Sequence, residues 1–368
     1  MTLSKQGPTP RPGILDIDPY IPGASKAPGV QKIYKLSSNE SALGASPKAI
    51  AAYQKIADDM FLYPDGGANL LRDKIADTYA LKAAQIVCGA GSDEILQLLC
   101  KAYVGEGDNI VQSDHGFLVY ALAAKSCGAE PRFAPEKNLT TDIDTMLTLV
   151  DEKTRIVFIA NPNNPTGSYI PGADLHRLRE ALRDDIILVI DAAYSEYMEE
   201  PDYEDGAAMV EAHDNVVMTR TFSKIYGLAA LRLGWGYCPP AIADVLNRIR
   251  GPFNVTAAAQ AAGIGALEDQ GFVERNRAFN RKEREWLTQQ LGGLGLETVP
   301  SFGNFVLIKF PDRPGINASD ILAFLKSEGV MVREMSAYKL PDYLRISIGE
   351  EEGNRKVIDL LERKFSRD

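Results

Sequence analysis

Short apolar runs alternate with helix-patterned segments along most of the first 260 residues of this chain, and that alternation restricts the fold more than any other feature. Residues 85–88, 109–112, 154–160, 185–190, 216–220 and 233–237 read as strands. Between them, 47–58, 69–83, 93–103, 116–126 and 172–182 carry helical patterns. The run Ile186-Ile187-Leu188-Val189-Ile190 has no polar face at all, so that strand is expected to be covered on both sides. A mostly parallel sheet sandwiched by helices follows, an α/β class, and ligands of such sheets gather at the carboxyl ends of the strands.

The pattern changes after Pro252. Residues 256–268 are rich in Ala and Gly, and 272–290 are charged and helical. Strands are expected at 305–310, 330–333 and 343–348, with helices at 318–328 and 353–365. At 368 residues two domains are expected: a large one over 38–260, and a smaller α+β one from 261–368 with the proline-rich arm 1–37 packed on it.

A formal charge of -10 argues against a nucleic-acid or anionic-membrane surface. No run reaches the roughly 18–20 apolar residues of a membrane span, and residues 1–12 lack the apolar core of a signal peptide. Cys88, Cys100, Cys127 and Cys238 form no Cys-x-x-Cys pair, and His115, His176 and His213 show no metal-ligand spacing. The expectation is a cytoplasmic protein without a metal.

Chemistry concentrates at the strand ends. Thr221-Phe222-Ser223-Lys224-Ile225-Tyr226-Gly227 follows one strand, with Arg232 eight residues after Lys224. A lysine shielded from water and close to other cations has a lowered pKa and can form a Schiff base. The hydroxyls of Thr221 and Ser223 and the guanidinium of Arg232 could hold a phosphate beside it. Lys224 could equally be a paired structural charge.

Gly89-Ala90-Gly91-Ser92-Asp93-Glu94 runs from a strand into a helix start, which offers free N–H groups to a phosphate. Glu94 stands where a dinucleotide fingerprint needs its third glycine. Ser92 could instead be a plain N-cap. The turn Asn161-Pro162-Asn163-Asn164-Pro165-Thr166-Gly167 can aim the Asn164 amide into a site. Asp191, at the end of the apolar run, needs a cationic partner against desolvation, unless it is an N-cap or an ion pair; Tyr194 follows closely.

Taken together, these motifs resemble the fold-type I pyridoxal-phosphate aminotransferases in order and spacing. Within them the chain most resembles the histidinol-phosphate aminotransferases, through Asp18-Pro19-Tyr20, Ser38-Asn39-Glu40, Leu62-Tyr63-Pro64-Asp65-Gly66, Gly303-Asn304-Phe305 and Tyr343-Leu344-Arg345-Ile346-Ser347-Ile348-Gly349. The resemblance implies pyridoxal 5'-phosphate as cofactor, bound covalently by Lys224, which also shuttles the substrate proton. It implies Asp191 on the pyridine nitrogen, Tyr194 and Asn164 on the phenolic oxygen, and Phe117 stacked on the ring. Ser92, Asp93, Ser223 and Arg232 would hold the phosphate, and Tyr63 would reach the cofactor of a second subunit in a homodimer. Asn39, Tyr20, Arg333 and Arg345 are the implied substrate residues, although Arg333 could be no more than half of a rim salt bridge with Glu334. Ala192 stands where relatives carry an acid. The implied reaction is a ping-pong exchange of an amino group between L-histidinol phosphate and 2-oxoglutarate, with glutamate as donor. An aromatic amino-acid aminotransferase and a phosphothreonine decarboxylase are the alternatives.

Overall fold

The computed structural model describes residues 9–11, 13–19, 23, 29 and 32–366. Its strands in chain order are β1 (Tyr34–Lys35), β2 (Ile86–Gly89), β3 (Asn109–Ser113), β4 (Glu130–Ala134), β5 (Thr154–Ala160), β6 (Ile187–Asp191) and β7 (Val216–Thr221). They continue as β8 (Gly234–Tyr237), β9 (Glu297–Val299), β10 (Phe305–Lys309), β11 (Val330–Met331), β12 (Arg333–Glu334) and β13 (Tyr343–Ser347).

Seven strands form one sheet in the order β2-β8-β7-β6-β5-β3-β4. The pairs from β7 through β6, β5 and β3 to β4 are parallel. Strand β8 runs antiparallel to both β7 and β2. No crossover helix lies between β7 and β8, so the chain turns straight back, and the returning loop carries Lys224.

The two-residue period of β6 explains its unbroken apolar run. Leu188 and Ile190 enter a core that includes Leu71, Ile75 and Met218. Ile187 and Val189 enter the core on the other face, with Ile95, Leu96 and Tyr120. Asp191 continues the second set, which brings its carboxylate to Tyr120. This is the α/β sandwich that the βα rhythm implies.

A second, antiparallel sheet has the order β12-β13-β10-β9. Leu344 and Ile346 of β13, with Val306 and Ile308 of β10, point into a third core. The alternate residues Arg345 and Ser347 therefore face the other way. Residues 330–333, expected as one strand, are divided: β11 pairs in parallel with β1, while Arg333 begins β12 against β13.

Helix Ala257–Leu267 packs Ala259, Ala262, Ala266 and Leu267 into the core of the seven-stranded sheet, so a domain boundary at 260 cuts through a helix of the larger sheet. The arm is also divided between the two sheets. Arg11 donates to Ser126 O at 2.6 Å and Lys125 donates to Asp16 O at 3.4 Å, both at the end of helix Leu118–Ser126. Strand β1, farther along the arm, joins the C-terminal strands. Among the described residues no helix is long and apolar enough to cross a membrane, and no cluster of His, Cys, Asp and Glu could hold a metal.

Candidate active site

Asp191 ends β6 and is 4% exposed. Tyr120 donates to its Oδ2 at 2.8 Å and Thr219 to its Oδ1 at 3.2 Å. Burial pushes its pKa up to about 6, even though both hydroxyls pull it down. Neither alternative reading of Asp191 holds: it caps no helix, and no cation among the described residues pairs with it. A buried carboxylate held by neutral donors is poised for a cationic ligand.

A cavity of about 270 Å3 opens beside it, lined by Ser92, Asp93, Phe117, Asn164, Asp191, Tyr194, Ser223, Lys224 and Arg232. These nine are all residues singled out in the sequence. Lys224 is half-buried in the turn after β7, with Nζ 5.6 Å from the centre of the Tyr194 ring. Gly227 N–H closes that turn on Lys224 O at 3.0 Å. Gly227 has φ of 69°, and a Cβ there would come within 2.0 Å of Gly44 O.

The start of helix Ser92–Tyr103 forms one end of the cavity. Its N-cap is Gly91, and no side chain caps it. Ser92 is thus the first helical residue rather than the cap, and the leading N–H groups face the cavity end without a side-chain acceptor. Glu94 is turned back instead, accepting from Ala90 N–H at 2.6 Å and from Asn254 at 2.7 Å. Arg232 donates to Asp93 Oδ2 at 3.0 Å and to Ser223 Oγ at 3.4 Å. A Cβ at Gly91 would meet Arg232 Nη2 at 2.5 Å, so the glycine makes room for the guanidinium beside the helix start.

Tyr194 is held by Asn39, whose Nδ2 donates to the phenol oxygen at 2.9 Å. Asn39 has φ of 47° and is itself fixed by Ser347, which accepts its N–H at 2.7 Å and donates to its Oδ1 at 2.6 Å. Asn164 accepts from Arg345 Nη1. The Asn-Pro turn that carries Asn164 is pinned by Asn163, which donates to His115 O and Thr166 Oγ1, and by Asn161 on Ile170 O. Phe117 is the N-cap of helix Leu118–Ser126 and meets Tyr120 edge-on at 5.8 Å.

Arg345 is buried and also donates to Ser37 O at 3.3 Å. Arg333 lies directly opposite it on β12. Glu334, the acid of the alternative rim salt bridge, accepts a hydrogen bond from Ser336 Oγ at 2.7 Å. Tyr63 does not join this cavity: it is 83% exposed and stacks on Phe253 at 4.6 Å. Tyr20 lies outside the described residues.

Sequence reasoning missed Tyr120 and Thr219, which hold Asp191, and Ser347, which holds Asn39. Thr219 had a visible signal, since it shares a strand face with Thr221. Tyr120 had none, because it reads as one more apolar residue of a helix. Serine 38, Glu40 and Thr221 also line the cavity.

A lysine, a buried carboxylate, a phenol, an amide and an arginine thus line one cavity beside a helix start that no side chain caps. The family profile "Aminotransferase class I and II" matches residues 31–361. The histidinol-phosphate aminotransferase of Rhodospirillum centenum is 53% identical over 355 residues, which are 96% of this chain and 98% of that protein. That of Maricaulis maris is 53% identical over 352 residues, 96% and 97% of the two chains. The crystal structure of the Sinorhizobium meliloti histidinol-phosphate aminotransferase in complex with pyridoxal-5'-phosphate superposes with a TM-score of 0.85 at 27% identity, covering 91% of this chain and 92% of that one. The chain belongs to the class I and II aminotransferases, in the histidinol-phosphate aminotransferase family.

Proposed function

We propose that this cavity holds pyridoxal 5'-phosphate and exchanges an amino group between L-histidinol phosphate and 2-oxoglutarate, with glutamate as the donor. The observation that carries the substrate assignment is the facing pair Arg333 and Arg345, with Arg345 reaching the cavity-wall residue Asn164. A phosphate dianion can engage two guanidinium groups, and planar arginine forks suit its oxygens.

Three observations fit the cofactor. Asp191 is a buried carboxylate with hydroxyl donors and no cation among the described residues, which suits a protonated ring nitrogen. The uncapped helix start beside Arg232 suits a phosphate. Lys224 lines the same cavity as both. When bound, pyridoxal phosphate supplies an aldehyde and an electron-withdrawing ring.

The protein's own groups do the rest. Asp191, oriented by Tyr120 and Thr219, keeps a proton on the ring nitrogen. Tyr194, oriented by Asn39, and Asn164 offer hydrogen bonds to the ring oxygen. Phe117 offers an aromatic face but no hydroxyl. Lys224 Nζ would be the base that takes the proton from substrate Cα and the acid that gives it back. Arg345 and Arg333 hold the substrate anion, with Tyr20 as the further contact that the family resemblance implies. One clamp serving both substrates in turn suits a ping-pong order.

The second subunit enters through Tyr63. Met60, Phe61, Leu62 and Tyr63 are 79%, 80%, 56% and 83% exposed in one run, with the half-exposed Phe253 alongside. Such a patch supports a homodimer in which Tyr63 reaches the partner's cofactor. The four cysteines are free, which suits the reducing cytoplasm.

The test is single-turnover spectroscopy of protein loaded with pyridoxal phosphate. L-histidinol phosphate, phenylalanine and phosphothreonine are added separately while the absorbance of the aldehyde form is followed. Rapid conversion to the amine form with histidinol phosphate alone is the expected result. Equal rates with phenylalanine would make the enzyme a broad aromatic aminotransferase, and release of CO2 from phosphothreonine would make it a decarboxylase.

A further inference from the structure

The seven-stranded sheet also buries charge on the face away from the cavity. Arg220 lies between Thr219 and Thr221 on β7, and strand alternation sends it to the opposite side. Its guanidinium donates to Glu196 Oε1 at 3.2 Å and to Asp205, and stands 4.4 Å over the ring of Tyr79. The Tyr79 hydroxyl donates to the same Glu196 Oε1 at 3.1 Å and shares a hydrogen bond of 2.5 Å with the Tyr226 hydroxyl. The Arg220 and Glu196 side chains are only 8% and 6% exposed. An apolar set of the same volume often stabilises a fold as well as such a buried ion pair does. Stability alone therefore does not account for it.

The positions of its members do. Glu196 follows the cavity residue Tyr194 by two, and Tyr226 follows Lys224 by two. Arg220 separates Thr219, the donor to Asp191, from Thr221 on the cavity wall. Three segments that carry the site are thus tied together from behind. Arg277 adds a fourth tie by donating to Glu196 O at 2.6 Å. Within the Lys224 turn, the Tyr226 side chain is 3% exposed and its hydroxyl joins the turn to this network.

We propose that Tyr226, through Tyr79 and Glu196, is a positioning residue for Lys224, its hydroxyl fixing where the Lys224 turn stands relative to Tyr194. The proposal rests on the cofactor assignment above. It concerns where an amine is held, not what the amine does. Loss of the Tyr226 hydroxyl leaves the ring packed but lets the turn shift, which changes how Lys224 Nζ meets its neighbours.

The experiment compares the wild type with Tyr226→Phe, Tyr79→Phe and the double variant. Loaded protein is titrated with pH while the cofactor's visible absorbance is followed, and kcat and KM are measured separately. Amide hydrogen exchange is measured on the cofactor-free protein, and thermal unfolding on both forms. The midpoint of the absorbance titration should move by about half a pH unit or more in each single variant. The value of kcat should fall by about tenfold with KM little changed. Exchange should quicken across residues 222–228 while the far edge of the sheet is unaffected. The double variant should be no worse than the worse single one, since both changes break one chain.

Variants that lose only thermal stability, with unchanged midpoint and unchanged local exchange, overturn the proposal. Should Tyr226→Phe not fold, Glu196→Gln keeps the shape of the brace and is read by the same midpoint. A wild type with no visible chromophore would reject the cofactor assignment instead. The exchange measurement, which needs no cofactor, would still decide the role of Tyr226.

Discussion

Arg333 and Arg345 face each other across the antiparallel pair β12–β13. Directly opposed side chains lie about 5 Å apart at Cβ and leave the sheet on the same side, and like charges so placed destabilise a strand pair. An anion lying between the two guanidinium groups could bond to both. Arg333→Ala should therefore lower kcat/KM for L-histidinol phosphate by about tenfold to a hundredfold, the worth of a charge-assisted hydrogen bond. Turnover of phenylalanine should hardly change. Steady-state kinetics on both substrates decides the matter, and equal losses would remove Arg333 from phosphate recognition.

Lys224 is the cavity's amine and stands over the face of Tyr194. Lys224→Ala should abolish amino transfer while the far-ultraviolet circular dichroism stays that of the wild type. The variant should also lose the visible absorbance that a covalently held cofactor gives. Substantial turnover in this variant would reject the assignment of Lys224 as the catalytic group.

The parts of this site that sequence made legible are those with unusual chemistry at a strand end. Asp191 stands out because it interrupts an apolar run, and Lys224 because hydroxyls and glycine surround it. The strands buried on both faces were legible for the same reason. Strand β4 was not, since its burial alternates irregularly on the sheet edge and it contains Pro131. The antiparallel turn of β8 and the division of residues 330–333 between two sheets depend on partners far away in sequence, which local patterning does not encode. Tyr120 was hidden because its ring belongs to the core and its hydroxyl does not. The Asn39–Ser347 tie joins residues 308 positions apart.

Asp191 gives a pH signature that needs no substrate. Burial raises its pKa to about 6 in the folded protein, against about 4 when unfolded. The folded state thus favours the protonated form. That contribution is fully present below pH 4 and is lost as pH rises through 6. Above this range the bare carboxylate costs the cofactor-free protein up to about 3 kcal/mol. Asp191→Asn should raise the Tm of the cofactor-free protein at pH 7.5 and lose most of that advantage at pH 4.5. Adding pyridoxal phosphate at pH 7.5 should raise the Tm of the wild type more than that of the variant, because the charge then has its partner. A stability difference that ignores pH would show that Asp191 does not titrate in this range.

Phe61 and Tyr63 test the second subunit. Both are large, apolar or aromatic, and about four-fifths exposed, at 80% and 83%. Tyr63 stacks on Phe253, so its ring is held outward rather than left to fold over its own cavity. A charge in this patch would have to be desolvated if a partner covers it, and would cost little if water covers it. Phe61→Asp should therefore convert a dimer into a monomer in sedimentation experiments while leaving the far-ultraviolet circular dichroism intact. If the Tyr63 hydroxyl reaches the neighbouring cofactor, Tyr63→Phe should leave the dimer in place and weaken retention of pyridoxal phosphate on dialysis. A wild type that sediments as a monomer, or a Tyr63→Phe variant that retains cofactor as the wild type does, would remove Tyr63 from the site.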